Sequence, residues 1–583
     1  MYNDKAVAYK AGVVPLGAQR EFSWRNWDAI MGDTAAVHEA PARRAPILPV
    51  DERLVDDAYA AYAAPLGERR MVQIVRPFAV MSRHTYSNPM TLPLGPAYLA
   101  AVLEKAGYRA GIIDAVGEDI FNIRPSADGT CNVQGLGAEA ILERIDPDIG
   151  VLGVSMMFSQ EWVLHREFIR AAREAFPDVI IVGGGEHGTA LPEYVLRDCP
   201  EIDYLVLGEG ELTFLELVHH LFTGEDPRAV GGVAHIDEAG KFVINGLSRR
   251  IGQIDRLPRP AWHLCGVENY FIDNWTMGIS MGRNMPILAT RGCPYQCTFC
   301  SNPTMWTTRY LMREPAEVVD EIEDLIADHG ANSIDFFDLT AIVKKEWILA
   351  FCAEIERRGV DVAWQLPSGT RSEALDAETL AAIKRTGCRL LVYSPESGSP
   401  TTLEKVKKKI KLERAIASMR EAVRVGHTVK LNFVIGFPHE TLREVRQTLA
   451  FAWRMAVVGV DDCNISVYTP YPGSELFQQL RADEIIGELD DAYFNSLLAQ
   501  FDMTIENAYC VGVSGRTLSR ARFLGHAVFY LLAYLLHPSR LVRLVRGLFG
   551  QRFQARSLFE QRVSDMVARR QLEARGDGAS SGS

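Results

Sequence analysis

The sequence predicts an α/β protein: a doubly wound parallel sheet over residues 71–224, then a partial (β/α)6 barrel over 286–500 and a helical C-terminal appendage over 501–583. Three observations predict it. Short apolar runs alternate with amphipathic stretches in both halves, which is the pattern of βαβ units and so of parallel strands. Two loops of the first half are rich in glycine, at the carboxyl ends of strands where such sheets receive ligands. The second half opens on an apolar run followed at once by three closely spaced cysteines.

Residues 1–70 are rich in Ala, Arg and Asp and carry Trp24 and Trp27 without a sustained period, so they read as an extension draped over the folded body. In the first half, strands are predicted at 71–75, 110–114, 149–155, 179–182 and 204–207. The intervening helices fall at 95–105, 137–145, 161–175, 189–197 and 211–222. The run Gly183-Gly184-Gly185-Glu186-His187-Gly188-Thr189 follows the fourth strand, and Gly208-Glu209-Gly210-Glu211 follows the fifth. Consecutive glycines let backbone approach a large flat or anionic ligand closely; a dinucleotide, or plain tight turns, would use the same run.

Residues 225–285 read as a connector. Gly231–Ile236 and Lys241–Ile244 flank Asp237-Glu238-Ala239-Gly240, a hairpin signal, and the aromatics Trp262, Tyr270, Phe271 and Trp275 lead into the second half. There the predicted strands are 286–290, 333–337, 361–366, 389–394, 428–435 and 463–468, with helices at 315–326, 346–356, 377–384, 412–425 and 442–456. The first of these helices shows the expected stripe, Val318, Ile322 and Leu325. Chemistry in such barrels lies at the strand carboxyl ends.

Composition narrows the function. With 48% hydrophobic and 23% charged residues the chain is a folded globular protein, not a disordered one. A net charge of −12 argues against a nucleic-acid partner, which requires a basic footprint. Residues 1–30 hold no apolar segment of a secretory leader, and the longest apolar run, Leu524 to Leu536, is interrupted by His526 and falls short of the ~20 residues of a membrane span. A cytoplasmic protein is expected. Cys131, Cys199, Cys265, Cys352, Cys388, Cys463 and Cys510 show no ligand spacing and read as small core residues.

Cys293, Cys297 and Cys300 differ. They stand at C-x3-C-x2-C spacing within Arg291-Gly292-Cys293-Pro294-Tyr295-Gln296-Cys297-Thr298-Phe299-Cys300. A short loop can converge three thiolates on one iron-sulfur cube, since such clusters require soft anionic ligands. Three ligands for four irons leave one iron open to a substrate or cofactor. A zinc knuckle would want a fourth Cys or His close by, and none follows in the loop.

This motif, with Phe299 before its last cysteine, resembles that of the radical S-adenosylmethionine (SAM) enzymes. The preceding βαβ half resembles the cobalamin-binding domain of the class B members, through Val154-Ser155, the Gly-Gly-Gly-x-His-x-Thr run, the Gly208–Glu211 turn and Pro260-Ala261-Trp262-His263-Leu264. The likeness covers roughly residues 71–500. It implies a [4Fe-4S] cluster on Cys293, Cys297 and Cys300, with SAM on the open iron and cobalamin on the first domain. Cobalamin contacts are implied at Ser155, Met156, Met157, Gly183, Gly184, Gly185, His187, Thr189, Gly208 and Glu209. The Asp-x-His-x-x-Gly motif that supplies a cobalt-ligating histidine elsewhere is missing, because His84 in Met81–Ser87 lacks both the Asp and the Gly. The implied binding is base-off, with the lower face covered by Met156, Met157, Phe158 or Trp162.

The same resemblance places SAM contacts at Phe299 and after successive barrel strands. Asp338 would meet the amino group, Arg371 the carboxylate unless it simply pairs with Glu373, Glu396 and Ser397 the ribose, and Ile435 and Gly436 the adenine edge. Tyr471–Leu476 reads as a closing turn, Lys405–Lys411 as a solvated face, and Trp306, Arg309 and Arg313 as lining or packing residues. The C-terminal helices read as a cover for one end of the barrel, with peripheral membrane contact as the minority reading; 576–583 reads as a disordered tail.

Three functions follow. The leading one is methyl transfer to an unactivated carbon of a small-molecule, lipid or tetrapyrrole substrate, with electrons from a flavodoxin or ferredoxin. The second is a cyclase or rearrangement enzyme, like the anaerobic magnesium-protoporphyrin ester cyclase. The third is a non-catalytic corrinoid-binding module, against which the succession of SAM-site candidates argues.

Overall fold

Seven strands build the first sheet: β1 (Met71–Arg76), β2 (Arg109–Asp114), β3 (Ile149–Ser155), β4 (Ile180–Gly184), β5 (Tyr204–Val206), β6 (Val233–Ile236) and β7 (Phe242–Asn245). The computed structural model describes residues 55–85, 91–246, 248–272, 276–500, 502, 508–548, 555, 557, 559–561 and 563. Trp24, Trp27, Ser87, Trp275 and the tail at 576–583 lie outside them, and every described residue falls within one unit, residues 45–583.

The order is β7-β6-β5-β4-β3-β1-β2. Strands β1 to β5 run parallel in the order 2-1-3-4-5, so the winding reverses between β1 and β3, the switch point where doubly wound sheets bind ligands. Alternate residues of the strands feed two separate cores. Val72, Ile74, Val151, Val182 and Val206 pack on one face, and Val75, Ile113, Leu152, Val154 and Ile181 on the other. Burial on both faces is why these strands are apolar throughout.

The predicted connector hairpin is not free. Val233 and Ala234 pair with Val206 and Leu205, so β6 and β7 extend the sheet antiparallel. The single helix predicted at 189–197 is two, Glu186–Ala190 and Pro192–Asp198, because Pro192 lacks the N–H to continue the first. A small antiparallel sheet of Ala79–Ser82, Cys131–Gln134 and Ile123–Pro125 carries too few residues for periodicity to reveal it.

The second half holds β8 (Asn284–Ile287), β9 (Ser333–Phe336), β10 (Ala363–Thr370), β11 (Cys388–Glu396), β12 (Thr428–Ile435) and β13 (Asp462–Val467). All pair parallel in chain order, and β8 does not pair with β13, which makes the barrel partial. The helix Gly515–Leu536 packs on β13 and on the helix Leu442–Val458. Trp453 Nε1 donates to the Gly525 carbonyl at 3.2 Å, and the Ile465 N–H donates to His526 Nε2 at 3.2 Å. The appendage therefore covers the barrel's last strand.

Candidate functional site

After β8 the chain does not turn directly into the cysteine loop. Thr290–Arg291 pairs antiparallel with Leu311–Met312, and this two-residue ladder brackets the loop at both ends. Gly292 has φ +82, and a Cβ there would strike the Arg309 carbonyl, so only glycine serves. Asp338, fully enclosed after β9, accepts from the Ala289 N–H at 3.2 Å and from the Thr290 hydroxyl. Its burial pushes its pKa up to about 6. Asp338 thus holds the loop's entry strand, and its carboxylate is already engaged there.

The three cysteines are half-buried. Cys293 Sγ lies 3.5 Å from the Thr340 hydroxyl, and the thiols feel one another's charge. Burial raises Cys297 and pushes Cys300 up to about 12, so the protein alone favours thiols, and bound iron would supply the positive charge that thiolates need. Among the described residues no three His, Cys, Asp or Glu side chains converge as one metal ion requires. The thiolates of a cube bind separate irons and stand farther apart than that. The loop is clamped from both sides: the Thr298 N–H donates to the Val406 carbonyl at 3.1 Å, and its carbonyl accepts from Leu476 at 2.8 Å.

Around this loop stand the barrel candidates. The Arg371 guanidinium lies 3.8 Å over the Tyr295 ring, donates to Glu373 at 3.2 Å and reaches the Lys409 carbonyl, leaving Nε without a partner. The Glu373 pair is real but buried on the arginine side, not a surface bridge. Glu396 ends β11 in the left-handed region, φ +65, which a non-glycine residue adopts only under constraint. Its carboxylate pairs with Lys408 at 2.9 Å. Lys408 corrects the solvated-face reading of 405–411: Lys405, Lys407, Lys409 and Lys411 are exposed, but the Lys408 side chain is held inward beside Cys297, whose thiol it favours ionising. Ser397 is fully enclosed and bonds the Thr448 hydroxyl at 2.9 Å, so its side chain is used in packing. Ile435 is buried, and the Gly436 N–H donates to Glu440 at 2.6 Å. Phe299 packs against Phe437, ring centroids 5.5 Å apart.

In the first half the glycine run is shaped by Met156. A Cβ on Gly183 would overlap Met156 Cε, and one on Gly185, at φ +114, would come within 2.6 Å of the Met156 carbonyl. Met156 and Trp162 are core residues, whereas Met157 and Phe158 are 46% and 50% exposed beyond the half-buried Ser155. Gly184 is half-buried, with only ordinary contacts around a Cβ there. His187 is enclosed between Trp162 and Phe494; its Nδ1 lies 2.9 Å from the Ser159 hydroxyl and burial lowers its pKa to about 3. Thr189 joins the two glycine loops, donating to the Gly185 carbonyl at 2.9 Å and accepting from Gly208 at 3.0 Å. His84 is exposed.

Glu209 is buried in ion pairs with Arg250 at 3.1 Å and Arg291 at 3.3 Å, and Glu211 meets Arg291 at 2.5 Å. This network ties the last turn of the first sheet to the first residue of the cysteine motif. Trp306 receives both guanidiniums, each 5.7 Å from its ring centroid, and Arg313 pairs with Glu321, so these two are packing residues. Further ties cross at the cysteine loop itself. The Ser301 hydroxyl donates to Glu186, and the Tyr471 hydroxyl donates to Gln160 at 2.9 Å and accepts from the Ser159 N–H at 2.8 Å, while Thr304 braces the loop within the second half by donating to the Gly473 carbonyl at 2.7 Å.

Comparison with known proteins agrees with this geometry. A radical SAM superfamily model matches residues 287–452, and a B12 binding domain model matches residues 87–218. The chain is 30% identical to an uncharacterised methyltransferase of Pyrococcus horikoshii, covering 68% of this chain and 79% of the relative. It belongs to the class B, cobalamin-binding, radical SAM family. This radical SAM enzyme is also 29% identical to the cytidylyl-2-hydroxyethylphosphonate methyltransferase of Streptomyces wedmorensis, over 70% of this chain and 81% of that one. Identity to the anaerobic magnesium-protoporphyrin IX monomethyl ester cyclase of Rubrivivax gelatinosus is 29%, over 67% and 66%. The solved radical SAM methyltransferase TsrM of Kitasatospora setae superposes with a TM-score of 0.59 at 18% identity, over 87% of this chain and all of that one. The enzyme's cofactors are a [4Fe-4S] cluster, SAM and cobalamin.

Two features of this radical SAM enzyme were not read from sequence. Lys408 sits in a lysine run that looks solvated, and the only hint was that its neighbours Val406 and Ile410 are apolar. At the switch point, Arg76 lies 3.5 Å from Asp114, whose carboxylate accepts from Tyr270 at 2.6 Å. These residues end β1 and β2 and come from the connector, and nothing local links them.

Proposed function

We propose that the enzyme is a methyltransferase that acts on an unactivated carbon of an apolar or planar small molecule. The observation that carries this reading is the lock between the two halves at the cysteine loop: Ser301 on Glu186, Tyr471 on Gln160, and the Ser159 N–H on the Tyr471 hydroxyl. It holds the carboxyl end of the first sheet against the mouth of the barrel. When bound, cluster and SAM supply a hydrogen-abstracting radical, and cobalamin carries the methyl group.

The chain's own residues hold and orient. Cys293, Cys297 and Cys300 would bind the cluster; Glu396, kept in place by Lys408, would take the ribose, and the backbone at Ile435 and Gly436 the adenine edge. Arg371 would support the loop through Tyr295 and offer its free Nε toward a carboxylate. Ser155, Met157, Phe158 and Gly184 are the accessible groups for cobalamin, and Met157 and Phe158 suit an apolar lower face. The burial of His187 supports base-off binding, since its imidazole is enclosed by aromatic rings. Electron paramagnetic resonance of the cobalt(II) form tests this, and nitrogen superhyperfine splitting would sink it. We keep 71–224 and 286–500 as the two domains, a flavodoxin or ferredoxin as electron donor, and the reducing cytoplasm as the site of action. An apolar substrate met at a membrane, through the C-terminal helices, is the finer partner reading.

The similarity to a tetrapyrrole cyclase supports a second reading, cyclisation or rearrangement. Gene deletion separates them when metabolites are compared after feeding methyl-deuterated methionine. Loss of a product carrying the intact labelled methyl supports transfer, and loss of a product without methionine-derived carbon supports cyclisation.

A further inference from the structure

We propose that the two C-terminal helices, Gly515–Leu536 and Pro538–Leu548, form a docking face for an anionic lipid bilayer. This deepens the apolar-substrate reading and does not depend on which group is transferred. Apolar exposure is concentrated here. Phe523, Leu531 and Leu535 are 65%, 57% and 68% exposed at four- and eight-residue spacing on one side of the first helix, and Leu541, Val542 and Val545 repeat the pattern on the second. A stripe this long on the outside of a folded chain marks a contact surface.

The charge identifies the occupant. Residues 515–548 hold six arginines and no Asp or Glu, in a chain of net charge −12. Three are spent inside the protein: Arg522 on the Ala499 and Asp502 carbonyls, Arg540 on Asp461 at 2.8 Å, Arg543 on Glu560 at 3.4 Å. Arg516, Arg520 and Arg546 are exposed to solvent on the same helices as the apolar stripe. Arg516 and Arg520, one turn apart, line a shallow cleft of about 360 Å³ with Ser519 and Phe523. Two guanidiniums beside an aromatic ring suit a lipid phosphate with its acyl chain alongside.

The geometry selects lying over spanning. The pair is apolar enough to cross a bilayer, but it bends by 101° at its break. The chain that follows reaches only the flank of the stripe: Phe559 stacks on Tyr530 at 4.4 Å and meets the edge of Tyr534, and Leu531 and Leu535 stay exposed. The location also fits. Leu518 packs against Gly436 at the carboxyl end of β12, so the basic cleft borders the barrel mouth, where a substrate leaving a membrane would enter.

Sedimentation of the full reconstituted enzyme with vesicles tests the proposal. Binding is expected to vesicles of equal parts phosphatidylcholine and phosphatidylglycerol and not to phosphatidylcholine alone, and it should weaken with salt. Arg516→Glu with Arg520→Glu should lower binding roughly fivefold per arginine. Leu531→Asp with Leu535→Asp should abolish it, with iron content and melting temperature unchanged because both sites are exposed. Wild-type enzyme that stays in solution with both vesicles overturns the proposal, as does binding by either variant equal to wild type. A wild-type dimer that the leucine variant converts to monomer, with no vesicle binding, would assign the face to a second copy instead.

Discussion

Lys408 Nζ lies 2.9 Å from Glu396 Oε1, in a pair whose side chains are each only 11% exposed, and the same ammonium bears on Cys297. One lysine therefore fixes the carboxylate at the end of β11 and places a positive charge beside the cysteine loop.

Lys408→Met should leave Glu396 without its partner and raise the KM for SAM about tenfold, the equivalent of roughly 1.5 kcal/mol for a charge-assisted bond. Losing a nearby cation should also make the cluster harder to reduce. A potentiometric titration followed by electron paramagnetic resonance reads the shift to lower potential, and Lys408→Arg should restore most of it. An unchanged potential with an unchanged KM refutes the role.

Replacing Cys293, Cys297 and Cys300 together by Ala should eliminate the broad visible absorbance of the reconstituted enzyme and its reductive SAM cleavage. Melting should move little relative to the cluster-free wild type, since the thiols are half-buried and Cys293 makes only a 3.5 Å contact to the Thr340 hydroxyl. Residual SAM cleavage by the triple variant would show that the cluster sits elsewhere.

Glu209→Ala strands Arg250 in the protein interior and leaves Arg291 with Glu211 alone. A buried pair broken from one side costs about 3–5 kcal/mol, so urea unfolding should show a loss of that size. Because Arg291 begins the cysteine motif, iron retention should fall in parallel. A variant with full stability and full iron would separate the network from the loop.

Glu440 gives a pH signature. Burial lifts its pKa from 4.5 to about 7, against the hydrogen bonds from Gly436, Phe437 and Thr402. Between those values the unfolded chain loses the proton while the folded one keeps it, so this residue lowers stability as pH rises from about 4.5 to about 7 and holds a constant cost above that. The melting temperature of Glu440→Gln relative to wild type should climb through that window and then level off. A difference that is flat with pH would place the folded pKa near its ordinary value.

What the sequence determined by itself is local. The cysteine triad, the alternation of strand and helix and the glycine run are legible because each depends on residues within a few positions of one another. The spacing of Cys293, Cys297 and Cys300 states the chemistry, and periodicity states which strands are buried on both faces. Only the tertiary structure decided how polar and apolar side chains are spent. Asp338 engages Ala289 and Thr290, Ser397 engages Thr448, and Glu209 engages Arg250 and Arg291, all partners 41 or more positions away. Met156 fills the space above Gly183 and Gly185 that the sequence offered to a ligand, and Lys408 turns inward from a run of lysines that otherwise meets water. A carboxylate or a lysine has the same letter whether it faces solvent, substrate or a buried partner. Which of these it meets is set by distant strands packing together, and the low dielectric of that packing makes each choice energetically decisive.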